Sequence, residues 1–267
     1  MTGDSSAATA TAPDGPLERA VLLGIVVAPF ALVFLRGPYR WAGALPLAVA
    51  LLWLATRGFA LFARALFWPI FFVGLVALPW PLSFVAPLGL YLALYAAAPR
   101  LRAAAGWLQA GRFTAATVAW MLPTILATSG ALVGWVFLFR PDLGDLARMV
   151  PAGGLPALLA TGVLFSVANA VWEEFILKGI AWNSLAAVFR AGWAVNVGQA
   201  VLFGVIHVGG FPRGVVGVLM ATLYGLALGV IRRESRGLAA PIVTHVFADA
   251  TIFVIVYLLS AGLLPGR

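Results

Sequence analysis

Long apolar runs, broken by short clusters of proline, glycine and arginine, occupy most of the 267-residue chain. Runs of about 16–26 residues approach or exceed the roughly 20 that a helix needs to cross a bilayer, and each predicts a membrane helix. Candidate spans fall at 21–35, 41–56, 59–80, 82–98, 114–139, 154–188, 193–208, 214–231 and 238–260. The predicted fold is therefore all-α, a polytopic transmembrane helix bundle of about eight or nine spans, because only helices satisfy their own backbone polar groups in lipid without closing a barrel. Pro69, Pro79, Pro81 and Pro87 predict kinks or breaks within 59–98. Residues 99–112 read as an interfacial connector, with Arg100, Arg102 and Arg112 beside an aromatic anchor, Trp107. The polar residues 1–16 read as a disordered tail, 17–153 as upstream helices, 154–260 as a C-terminal bundle of four helices, and 261–267 as a short tail. No basic n-region or cleavage site accompanies the first apolar run, which predicts a retained helix rather than a secretory signal.

Composition supports the same class. With 63% hydrophobic and 10% charged residues, the chain lacks the polar surface of a soluble globule. The net charge of +8 is not a nucleic-acid signal, because the arginines sit at the ends of apolar runs and form no basic stripe. Placing Arg232, Arg233 and Arg236 in the cytoplasm and alternating backward puts Lys178, Arg190, Arg100, Arg102, Arg112, Arg57, Arg64 and Arg19 inside as well. Arg36, Arg40, Arg140, Arg148, Arg213 and Arg267 then lie outside. The bias predicts N-terminus in and C-terminus out, in what reads as a bacterial cytoplasmic membrane. The absence of cysteine excludes disulfides, thiolate metal sites and a cysteine nucleophile.

Ionisable residues at membrane depth cost roughly 2.5–3.5 kcal/mol each even on insertion scales, so a cluster of them needs a purpose. The chain concentrates them in three patterns: Glu173-Glu174 with Lys178, Phe203 with His207, and His245 with Asp249. His207 and His245 are its only histidines, and Lys178 is its only lysine. Adjacent residues on a helix diverge by about 100°, so Glu173 and Glu174 are not expected to serve one point equally. Glu174 and Lys178 have the i,i+4 spacing of an intrahelical ion pair, which predicts a structural role for Glu174 and leaves Glu173 unpaired. Phe203 and His207 share a face with Gln199. Glu173 and His207 are equally far in sequence from Arg190, and a helical hairpin turning at Arg190-Ala191-Gly192 would bring them level.

These motifs resemble those of the CPBP family, the type II CAAX prenyl endopeptidases and their bacterial relatives, also called the ABI family. The resemblance rests on Glu173-Glu174-Phe175-Ile176-Leu177-Lys178-Gly179, Phe203-Gly204-Val205-Ile206-His207 and His245-Val246-Phe247-Ala248-Asp249, in order over about 154–260. It implies intramembrane hydrolysis of a peptide bond in a membrane-associated protein or peptide, lipidated or not. Glu173 would be general base, His207 its partner, and His245 with Asp249 the oxyanion side; Glu174, Lys178 and Phe203 would support them. Two residues depart from the family pattern. Lys178 replaces an arginine and loses its bidentate fork. Asp249 stands where asparagine is common, and an ionised aspartate cannot donate to an oxyanion, so it is either protonated or orients a histidine.

The family has also been described as metal-dependent, and Glu173, His207, His245 and Asp249 would be a plausible zinc set. The metal-free version is preferred because no HExxH helix pairs two histidines. Neither HExxH nor a GxGD pattern is present, which disfavours other intramembrane protease types. A catalytically inactive scaffold or immunity-type protein, or a proton-coupled transporter, would also bury such a set, although no internal repeat supports transport. The expected partners are membrane lipid and a protein or peptide substrate.

Overall fold

A computed structural model describes residues 15–32, 34–35, 37–189 and 191–264. The polar tail lies outside the described residues up to position 14, as do Arg190 of the expected hairpin turn and residues 265–267. Among the described residues the secondary structure is helical and contains no strand. Six helices among the described residues are long and apolar enough to cross a membrane, or seven if one bent pair forms a single span. The helices at Pro16–Leu32 and Gly192–Ile206, on two further apolar runs, have 17 and 15 residues.

The chain divides into two compact units, 1–106 with 183–191, and 107–182 with 192–267. The first contains α1 (Pro16–Leu32), α2 (Ala44–Arg57), α3 (Phe59–Ala65), α4 (Phe67–Ala77), α5 (Leu82–Ala97) and α6 (Pro99–Ala105). Pro16 opens α1 two residues before Glu18; proline's fixed φ and missing N–H suit a first helical position. The proline-rich region breaks where expected. Helix α4 ends at Ala77, and α5 resumes after Pro79 and Pro81, with Pro87 packed on Gly74. At Pro99 the chain turns by 109° into α6, because Ala98 before the proline is held extended at φ −110°, ψ 97°. Phe30, Phe67, Trp68 and Phe71 form the aromatic core of this unit. Trp68 Nε1 donates to the Ser184 hydroxyl, which donates in turn to the Arg64 carbonyl.

The second unit holds α7 (Ala115–Phe139), α8 (Gly144–Ala147), α9 (Leu155–Glu174), α11 (Gly192–Ile206), α12 (Gly214–Ser235) and α13 (Ala239–Ser260). Helix α9 continues into a π-helical stretch, Phe175–Ala181, and then into α10 (Trp182–Val188), whose residues from Asn183 onward belong to the first unit. Small residues at Gly217, Ala221, Gly225 and Gly229 recur every four positions on α12; Gly217 lies against the Pro212 backbone, and Gly225 and Gly229 let α12 approach α11 closely. A side chain at Gly225 would meet the Ala200 backbone at 3.1 Å, and one at Gly229 would collide with the Asn196 amide. Gln199, on the predicted face with Phe203 and His207, is spent in this seam: its amide nitrogen donates to the carbonyls of Asn196 and Gly225 and to the Asn196 side chain.

An extended strap, 107–112, ties down the turn between α12 and α13. Leu238 and Ala239 N–H groups donate to the Gln109 and Ala110 carbonyls, and Arg112 N–H donates to the Ser235 carbonyl. Gly111 adopts φ +81°, and a Cβ there would stand 2.6 Å from that same carbonyl oxygen, so glycine is required. Trp107 is not an interfacial anchor. It is 2% exposed, packs on Gly179 and meets the Phe175 ring edge-on at 5.5 Å. Its place under the π-helical stretch removes it from the interface expected of a tryptophan beside arginines.

Replacing Gly229 by leucine should force the α11–α12 seam apart. The expected result is a loss of at least the roughly 1–3 kcal/mol typical of overpacking, read as a lower unfolding temperature in detergent, with Gly24→Leu on open surface as the neutral control.

Candidate active site

The three sequence patterns converge within the second unit. Glu173 and Glu174 end α9, Lys178 lies in the π-helical stretch, Phe203 is on α11, and His245 and Asp249 are on α13. His207 follows the last residue of α11 in a turn closed by a bond from its own N–H to the Gly204 carbonyl. The helix was expected to run through 208; Gly209, Gly210 and Pro212 end it early.

Glu174 and Lys178 are both fully buried, and Lys178 Nζ lies 3.5 Å from Glu174 Oε1. This is the predicted i,i+4 pair, with a single long contact where an arginine could have forked. The ammonium also sits 4.2 Å from the centre of the Phe203 ring, a cation–π contact. Glu174 does more than pair with lysine. The same Oε1 accepts from His245 Nδ1 at 2.9 Å, fixing the imidazole from α9 across to α13. A carboxylate only accepts, so Nδ1 carries the proton and the Nε2 of a neutral ring is left as an acceptor.

Nε2 faces the other two acids. Glu173 Oε2 and Asp249 Oδ1 each lie 3.8 Å from it, too far for a direct hydrogen bond. The neighbouring glutamates thus flank one ring after all. Their divergence is expressed at the imidazole, where Glu174 takes one nitrogen and Glu173 approaches the other. The sequence reading missed Asn169. One turn before Glu173, its amide donates to Glu173 Oε1 at 3.3 Å and to Asp249 Oδ2 at 3.2 Å, so a single side chain spaces the two acids. A lone asparagine four residues before Glu173 on an apolar helix was the available signal. Glu173 Oε2 is buried and has no hydrogen-bond partner.

His207 donates from Nδ1 to the Phe203 carbonyl at 2.8 Å, since a carbonyl can only accept; Nε2 of the neutral ring is again the acceptor. The Phe203 ring touches both imidazoles, at 4.7 Å from His207 and 5.7 Å from His245, and so spaces the two histidines. Among the described residues no group of three or more His, Asp and Glu side chains is arranged to hold a metal ion. Of the donors suggested for zinc, Asn169 holds one oxygen of Glu173 and one of Asp249, while Nε2 of each histidine and Oε2 of Glu173 carry no hydrogen bond. No step through a metal is derived from this arrangement.

Residues 155–251 match the family model described as type II CAAX prenyl endopeptidase, Rce1-like. Over these residues the chain is similar to that family. The match runs from the first residue of α9 to two residues beyond Asp249, and encloses every site residue named above. It supports a CAAX-type membrane endopeptidase at the level of the family, in agreement with the resemblance of the three motifs. No curated protein and no solved structure matches the chain.

Removing one member of a buried ion pair typically costs about 3–5 kcal/mol, because the other charge is stranded. Lys178→Met should therefore destabilise the domain strongly, and Glu174→Gln in the same chain should recover part of the loss. Thermal unfolding of the two single variants and the double variant in detergent measures the coupling. Purely additive losses would mean that the pair is not a unit.

Proposed function

We propose that the chain hydrolyses a peptide bond of a membrane-associated protein or peptide, with Glu173 as the base that activates water. The observation that carries this reading is the buried Oε2 of Glu173, which has no hydrogen-bond partner while its sister oxygen is held by Asn169; Oε2 of Glu174 is also unpartnered, but that carboxylate is paired with Lys178. A carboxylate fixed at one oxygen and free at the other suits a general base, since it is oriented without being neutralised. His207, with an acceptor Nε2, shares the orientation of the water. His245 and Asp249 form the oxyanion side. His245 can donate from Nε2 only when doubly protonated, because Glu174 holds the proton on Nδ1. Glu174 is thus a positioning residue acting through His245, besides its structural pair with Lys178.

The reaction is read as metal-free, with a prenylated CAAX peptide as the first substrate to try because of the family matched. The chain is read as inserted with its N-terminus inside and its C-terminus outside a bacterial cytoplasmic membrane, in contact with lipid and substrate alone. The inactive-scaffold and transporter readings lack an observation that favours them over catalysis.

Glu173→Gln should leave a folded, inserted protein with no turnover of a farnesylated CAAX peptide; retained turnover would return the site to a structural role. Asp249→Asn should keep substantial activity, and chelators should have no effect. Stoichiometric zinc, lost together with activity on chelation and restored with it, would overturn the metal-free reading. Orientation is testable cleanly because the chain has no cysteine. An impermeant thiol reagent applied outside should label Arg140→Cys and spare Arg236→Cys, and the reverse pattern would invert the topology.

A further inference from the structure

One polar group at the cluster has no part in the scheme above. Tyr224 lies on α12, and its hydroxyl oxygen is buried without a hydrogen-bond partner. Its ring stands perpendicular to His245, at 89° and 5.5 Å, and tilts against Phe203 at 6.1 Å. The hydroxyl interacts electrostatically with Glu173, Glu174 and Asp249, so it belongs to the neighbourhood of the acids. Buried tyrosine hydroxyls ordinarily find a partner. This one has three acids nearby and bonds to none.

The other donors of the cluster are committed. Asn169 serves Glu173 and Asp249, Nδ1 of His245 serves Glu174, Nδ1 of His207 serves the Phe203 carbonyl, and the Lys178 charge rests against Glu174 and Phe203. Asp249 acts as an acceptor toward Asn169, which leaves the oxyanion side short of a neutral donor. Around the cluster, among the described residues, the Tyr224 hydroxyl is the uncharged donor without an acceptor.

We propose that Tyr224 is a catalytic residue whose hydroxyl donates a hydrogen bond to the scissile carbonyl oxygen as that oxygen gains charge. The inference rests on the endopeptidase reading. Water oxygen bonds to the carbonyl carbon, its proton passes to Glu173, and the carbonyl π pair moves onto oxygen. That oxygen accepts from Tyr224, which keeps its proton. When the carbon–nitrogen bond breaks, the pair returns to reform the carbonyl, and the leaving nitrogen takes the proton from Glu173. Tyr224 is therefore unchanged over the cycle. A donor aimed at developing charge serves the transition state more than the bound substrate.

The test uses the purified full-length protein and a farnesylated CAAX peptide. Tyr224→Phe keeps the ring against His245 and Phe203 and removes only the hydroxyl. It should lower kcat by about 10²–10³ with KM and unfolding temperature unchanged. A phosphinate analogue of that peptide, tetrahedral and anionic at the scissile position, should bind the variant at least about tenfold more weakly, while an uncleavable ground-state analogue binds equally. If Tyr224→Phe proves unstable, 3-fluorotyrosine at 224 keeps the shape with a more acidic phenol, and should move the alkaline limb of the pH–rate profile to lower pH. Wild-type rates in Tyr224→Phe, or an unmoved limb, overturn the proposal. If at the same time Glu173→Gln is inactive, the endopeptidase reading survives without Tyr224. A wild-type protein that neither cleaves the peptide nor prefers the phosphinate removes both.

Discussion

A buried carboxylate, that of Glu174, organises the second unit. It lies at the junction between α9 and the π-helical stretch, out of reach of solvent, where an unpaired charge would be expensive. One of its oxygens answers to both Lys178 and His245. The first contact neutralises it within its own segment, and the second fastens that segment to α13. The imidazole's orientation and tautomer follow, and through them the face that His245 turns toward Glu173 and Asp249.

The surrounding scaffold holds this arrangement by close backbone approach more than by bulky packing. Glycines on α12 let α11 come near enough for Asn196 and Gln199 to bond to α12 carbonyls, and this seam sets the position of Phe203. The π-helical stretch alters the hydrogen-bond ladder just beyond the two glutamates. Arg232 of α12 donates to the carbonyl of Lys178 there, and its guanidinium also stacks on Trp182. π-Helical turns inside regular helices are frequent at functional sites, and this one lies immediately after the paired acids. Below it Trp107 occupies the space that Gly179 leaves.

The site is acid-rich, with Glu173, Glu174 and Asp249 facing a single imidazole. Its economy is a division of labour among oxygens. Glu174 is paired through one oxygen with Lys178 and His245, Asp249 is held by Asn169, and Glu173 keeps an unengaged oxygen on a carboxylate that is not in the lysine pair. Acids that look equivalent in sequence thereby acquire different chemistry from their partners alone.

Apolar run lengths identify an all-helical membrane protein, because lipid allows few other solutions. Ionisable residues inside those runs mark the cluster, because nothing else justifies their insertion cost. The i,i+4 spacing of Glu174 and Lys178 predicts their pair, since helical geometry is local. Contacts across helices were not legible. That Glu174 would also hold His245, that Asn169 would space two acids, that Trp107 would be buried rather than interfacial, and that α11 would end just before His207 depend on which faces meet. Helix ends were not legible for the same reason: apolar runs mark where a helix can form, while glycine, proline and neighbouring helices decide where it stops. Periodicity and composition are properties of a segment, and the sequence determined them alone. The orientation of His245, and the unengaged oxygen of Glu173, exist only once α9 and α13 are packed together, so the tertiary structure decided the chemistry.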